Sequence, residues 1–100
     1  CRISHLQYSS RDEYVQISND GGAQDMTRWK IHSVQGDQWY TFPQGYVLAP
    51  GDSVRVHSGP DAIHSPPSDL RWSSAYIWNN SGDEARLIDD RGRIVDSWKY

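Results

Sequence analysis

Four histidines (His5, His32, His57 and His64) and two acidic pairs (Asp83-Glu84 and Asp89-Asp90) are the residues that metal or acid–base chemistry would use in this chain. A zinc site needs ligands that converge at short spacings. Here the histidines are far apart, and alternation puts His32 and His57 on outward faces of their strands. They read as solvent-exposed side chains. A calcium site wants about six to eight oxygens, and the spaced D-x-D-x-D-G pattern is absent. The acidic pairs read instead as polar turn residues flanking a hairpin. No Gly-x-Ser-x-Gly elbow exists, Cys1 has no evident His partner, and no Gly-rich loop precedes a helix. Nothing marks two carboxylates as a glycosidase pair. No catalytic residue, metal ligand or cofactor site is assigned.

Binding chemistry has two candidates. Trp39, Trp72 and Trp98, with Tyr46 and Tyr76, exceed what the core of a small domain needs, and exposed rings stack on sugars or partner side chains. The other is an outward set of Arg55, Arg86, Arg91 and Arg93, suited to an anionic partner. Arg86 and Arg93 lie on adjoining strands if residues 89–92 form a hairpin. The competing readings are that the rings belong to the core and that nearby acids dilute the arginines. Asn79-Asn80-Ser81 has the form of a glycosylation acceptor, a match of low specificity.

The chain that must position these groups has 100 residues, the size of one domain. Its hydrophobic share is 36%, below the usual figure, and five Trp, six Tyr and one Phe compensate with large buried rings. So many aromatics argue against disorder. A net charge of −3 argues against a nucleic-acid surface, which presents a basic patch. A single cysteine permits no internal disulfide, so the fold stands on its core. No stretch reaches the ~20 apolar residues of a membrane span, and no signal peptide is present. The missing initiator Met and the stop inside an aromatic-rich segment suit a domain cut from a larger protein.

Short alternating runs separated by turn clusters predict strands throughout. They lie over 2–8 (with a bulge), 13–19, 29–33, 38–42, 53–58, 76–78, 84–88 and 93–100. Trp29 and Ile31 point inward, as do Val54 with Val56 and Ala85 with Leu87. Gly36-Asp37 turns one hairpin, Pro43 closes its second strand, and 45–51 is a connection. Residues 59–69, with Pro60, Pro66 and Pro67, read as a long loop. These elements predict an all-β antiparallel sandwich of about eight strands.

Several pieces taken in order carry more. They are the run from Asp12 to Asn19 (DEYVQISN), Met26-Thr27-Arg28-Trp29-Lys30-Ile31, Tyr40-Thr41-Phe42-Pro43, Leu48-Ala49-Pro50-Gly51 and Val54-Arg55-Val56. The run from Ile77 to Leu87 (IWNNSGDEARL) and that from Asp89 to Asp96 (DDRGRIVD) follow. Together they resemble the lamin tail domain, an immunoglobulin-like module, over nearly the whole chain. Arg28 departs from the pattern, standing where the family usually has Gly before its Trp. The shared residues have architectural readings. Pro50-Gly51 makes a tight turn, Asn79, Asn80, Gly82 and Asp83 build a turn bonded to its own backbone, and Trp29 and Trp78 anchor the core between two sheets.

The resemblance implies no catalytic residues. It implies a module that binds or tethers, appended to a larger extracytoplasmic bacterial protein, secreted or on the cell surface. Its partner would be a protein or a surface, with nucleic acid reached through the attached protein. It would act by raising the local concentration of its neighbour. The alternatives are carbohydrate recognition through coplanar exposed rings, or a spacer domain with no ligand.

Overall fold

The computed structural model describes all residues 1–100 and contains strands and turns without a helix. In chain order the strands are β1 (Arg2–Gln7), β2 (Glu13–Ser18), β3 (Gln24–Asp25), β4 (Lys30–Ser33) and β5 (Gln38–Thr41). They continue with β6 (Val47–Leu48), β7 (Ser53–Ser58), β8 (Asp69–Arg71), β9 (Glu84–Ile88) and β10 (Ile94–Lys99). Eight of them form two four-stranded sheets, β1-β2-β7-β8 and β10-β9-β4-β5, while β3 and β6 pair with each other.

Period-2 alternation explains how the sheets face one another. On β2 and β7 the pairs Val15–Val56 and Ile17–Val54 are fully buried. On the other sheet Ile31 of β4 lies opposite Leu87 of β9 and is equally buried. These residues join Trp29, Phe42, Trp78 and their neighbours in one cluster of 17. Each such side chain contributes on the order of 2 kcal/mol by leaving water. The two expected core anchors, Trp29 and Trp78, both lie in it.

Seven of the eight expected strands form, and the bulge expected in β1 falls between Ile3 and His5. The eighth does not. Residues 76–78 carry no strand, and the amides of Ile77 and Trp78 are taken by a side chain. Glu13 Oε1 accepts from the amides of Ile77 (2.8 Å) and Trp78 (3.3 Å) and from Ser58 Oγ (3.1 Å). A carboxylate thus replaces the ladder.

Three strands appear where connections were expected. β8 lies at the end of the proline-rich loop and pairs parallel with β7, so the first sheet is not wholly antiparallel. The crossover before it spans 59–68. β6, and the turn that leads into its partner β3, are held by Asn19, the last residue of the DEYVQISN run. Its buried side chain donates to the carbonyls of Gly22 and Leu48, both at 2.9 Å, and of Ala49. Gly51 (φ 78°) follows Pro50 in a turn closed by Asp52 N–H to Ala49 O, the positive φ that such a turn demands at its third residue.

Candidate functional site

The outer face of the second sheet is ordered by the hairpin at Gly36-Asp37. That turn sets the register of β5 on β4, which places Trp39 opposite His32, and His32 lies opposite Arg86 on β9. Ser97 of β10 completes the row. The next row reads Thr41, Lys30, Ile88 and Ile94. Because these residues alternate with Ile31, Tyr40 and Leu87, which serve the core, they point away from it.

Trp39 is 49% exposed, the only exposed tryptophan of the five. Its ring stacks on His32 with centroids 3.8 Å apart and planes 9° from parallel. Asp37 orients both rings, lying 2.9 Å from His32 Nε2 and accepting from Trp39 Nε1 at 3.3 Å. Arg86 donates from Nε to Glu84 Oε2 at 2.7 Å. Beside Trp39 lies a concavity of about 470 Å³ bordered by Arg28, Lys30, Thr41, Ile88, Asp89 and Asp90. Asp89 holds the turn at its lip, accepting from the amides of Arg91 and Arg93, both at 2.9 Å. Those bonds, the one from Arg93 first, hold its carboxyl below the usual range.

The expected binding residues separate. Trp72 and Trp98 are half-buried against the core, so they form no platform with Trp39. Trp72 meets the edge of Trp78 at 5.8 Å and 87°, and Trp98 that of His5 at 6.1 Å. Tyr46 is buried with its hydroxyl bonded to Pro67 O, and desolvation pushes its phenol up to about 12. Tyr76 is exposed at an end of the sandwich.

The arginine set divides in the same way. Arg55 lies on β7 in the first sheet, where it bonds Gln16 Oε1 at 2.9 Å and covers the Tyr14 ring at 4.5 Å. Arg86 lies on the second sheet, so the two share no patch. Arg91 and Arg93 flank the β9–β10 turn, but Ser97, not Arg93, is the cross-strand partner of Arg86. Lys30 and Ile88 are not among the expected binding residues, although the outward alternation of β4 and β9 marks them, and Arg28, in the turn before β4, has no such signal.

His57 corrects a further expectation. Alternation does turn it outward from β7, yet it is 1% exposed. Its Nδ1 lies 2.7 Å from Asp12 Oδ1 and its Nε2 lies 2.7 Å from Asp69 Oδ1. His32 is half-buried under Trp39, whereas His5 and His64 are exposed. Asp83, read as a polar turn residue, is buried: its carboxylate accepts from Ser33 Oγ (2.8 Å) and from the amides of Gln35 (3.0 Å), Asn79 (3.3 Å) and Glu84 (2.7 Å). Asn79 Oδ1 accepts from Ser81 N and Oγ, as expected of a self-bonded turn.

The polar constellations thus resolve into architecture: Glu13 holds 77–78, Asn19 holds β6, Asp83 holds the 79–84 turn. This ordered set spans the whole sandwich, and so does the family match. Residues 2–100 fit the family model of the Lamin Tail Domain, and the chain belongs to that immunoglobulin-like, non-enzymatic domain family.

Proposed function

We propose that this domain is a non-catalytic binding or tethering module that meets its partner through the outer face of the β10-β9-β4-β5 sheet, with Trp39 at the contact. The observation that carries the reading is Trp39 itself. A large ring left half in water, braced by His32 and Asp37, is held ready and loses little conformational freedom on contact. Such a ring beside apolar Ile88 and the cations Lys30 and Arg28 resembles the centre of a protein contact, where Trp and Arg concentrate binding energy.

The module works by proximity. A weak contact at this face raises the local concentration of whatever protein the domain is attached to. We place that protein outside the bacterial cytoplasm on the family resemblance. A protein or surface partner is favoured over a saccharide, because stacking on a polysaccharide wants several coplanar exposed rings and this face offers one tryptophan.

The test is tryptophan fluorescence with iodide quenching, before and after adding polysaccharides, DNA and candidate surface proteins. A genuine partner protects the quenchable signal, and Trp39→Ala removes both that signal and the binding. A partner that binds Trp39→Ala as tightly as the parent domain sinks the proposal.

A further inference from the structure

A second concavity lies at an end of the sandwich, away from every residue of the Trp39 face. The β1–β2 turn (Ser9, Ser10 and Arg11) forms one side, and the irregular segment with Tyr76, Trp78 and Asn79 forms the other. Its volume is about 500 Å³, the size of a small-molecule pocket. Glu13 borders it from β2.

Two of the residues that border it each carry an unusual atom, buried behind the cavity wall. Glu13 is 1% exposed and its Oε1 is fully engaged by Ser58, Ile77 and Trp78, but its Oε2 has no hydrogen-bond partner. Trp78 is 2% exposed, and its indole Nε1 also has none. One is an acceptor and the other a donor. Buried polar atoms are nearly always paired, so each orphan calls for an explanation.

The charges point the same way. Glu13 forms no ion pair within the chain. The other charged residue at the cleft, Arg11, is committed to Asp61 at 3.1 Å, and both are well solvated. A buried carboxylate without a counter-charge is costly and is normally compensated. At the rim Tyr76 is 56% exposed, offering a ring that attracts an organic cation.

We infer that this cleft binds a small ligand carrying a primary ammonium next to an oxygen acceptor, the chemistry shared by an amino sugar and by a peptide amino terminus. The ammonium donates towards Glu13 and supplies the missing positive charge. The neighbouring oxygen accepts from Trp78 Nε1–H, and Tyr76 covers the ligand from the rim. Admission requires a small opening motion, since neither orphan atom touches solvent. The segment that must move is the irregular 76–80 stretch, not a sheet strand.

The test uses ¹⁵N–¹H spectra of the whole domain, titrated separately with glucosamine, with glycinamide, and with N-acetylglucosamine, which keeps the oxygens but loses the charge. The expected result is a saturable shift of the Trp78 indole N–H and of the Ile77 and Trp78 amides with an ammonium probe. N-acetylglucosamine produces none. Preference between glucosamine and glycinamide assigns the source. Glu13→Gln weakens the response by about tenfold or more, the worth of one charge-assisted hydrogen bond. If that variant does not fold, Tyr76→Ala, whose side chain lies outside the core, weakens it several-fold. No saturable shift, an equal response to N-acetylglucosamine, or undiminished binding by a folded variant overturns the inference.

Discussion

His57 Nε2 and Asp69 Oδ1 lie 2.7 Å apart, joining the middle of the first sheet to the strand that ends its crossover. Asp12 Oδ1 faces the other ring nitrogen at the same distance. A neutral imidazole has a single N–H and so donates to one of the two carboxylates at a time. The pair closes the loop 59–68 onto β7. It does locally what apolar packing does elsewhere, since β8 brings only Leu70 to the core.

The hydrogen bond from His57 is the largest of the effects holding the Asp69 carboxyl below its usual range. A depressed carboxylate contributes stability above its unfolded value of about 3.9, and that contribution is lost as pH falls through the lower folded value. Asp69→Ala is therefore expected to lose about 2 kcal/mol at neutral pH and to flatten the acid limb below about pH 4. Urea denaturation at a series of pH values checks both; an unchanged acid limb contradicts the assignment.

Gly59 marks where three segments cross. Its φ is 96°, its N–H bonds Ala75 O, and a Cβ added there would sit 2.5 Å from the carbonyl oxygen of Arg11. That obstacle is backbone, itself bonded to Asp61 N–H at 2.9 Å, so it cannot swing aside. Gly59→Ala combines a steric clash with left-handed strain and should destabilise by about 2–4 kcal/mol. The midpoint of a denaturant titration reads it directly.

Arg28 adopts φ 64°, the left-handed region where an L residue is disfavoured by about 1–2 kcal/mol. The conformation proper to glycine thus persists under an arginine. Arg28→Gly should raise stability by about 0.5–1 kcal/mol after its larger unfolded-state entropy is counted, a rise of a few degrees in melting temperature. Calorimetry of the pair settles the sign.

Trp39 and Trp78 should behave oppositely on truncation. Trp39→Ala removes an exposed ring and is expected to change stability by less than about 1 kcal/mol. Trp78→Ala empties a position between the sheets and should cost about 3–5 kcal/mol. Equal losses from the two would mean that Trp39 is part of the core and not a contact residue.

The strands β2, β7 and β9 were legible because each sets two apolar residues two positions apart on its inner face (Val15 and Ile17, Val54 and Val56, Ala85 and Leu87), and that signal is local. So were the Gly36-Asp37 hairpin and the Pro50-Gly51 turn, where backbone chemistry is set by the residues themselves. Strand β8 was not, for a three-residue strand with one apolar member has no measurable period. The run 76–78 looked like a strand by composition. The amides of Ile77 and Trp78 go instead to Glu13, 64 residues from Ile77. His57 had the right alternation and the wrong solvent, because Asp12 and Asp69 cover it from 45 and 12 residues away.

The amino-acid sequence alone determined the class, the sandwich, most of its strands and the identity of its core anchors. These follow from hydrophobic periodicity and turn preferences, which act between near neighbours. Tertiary structure alone decided which polar residues are free. One oxygen of Glu13 and the side chains of Asn19, His57 and Asp83 are spent on distant backbone and side-chain partners, and of the tryptophans only Trp39 is exposed while Trp72 and Trp98 are half-buried. Exposure depends on what arrives from elsewhere in the chain to cover a side chain, and no local pattern encodes that.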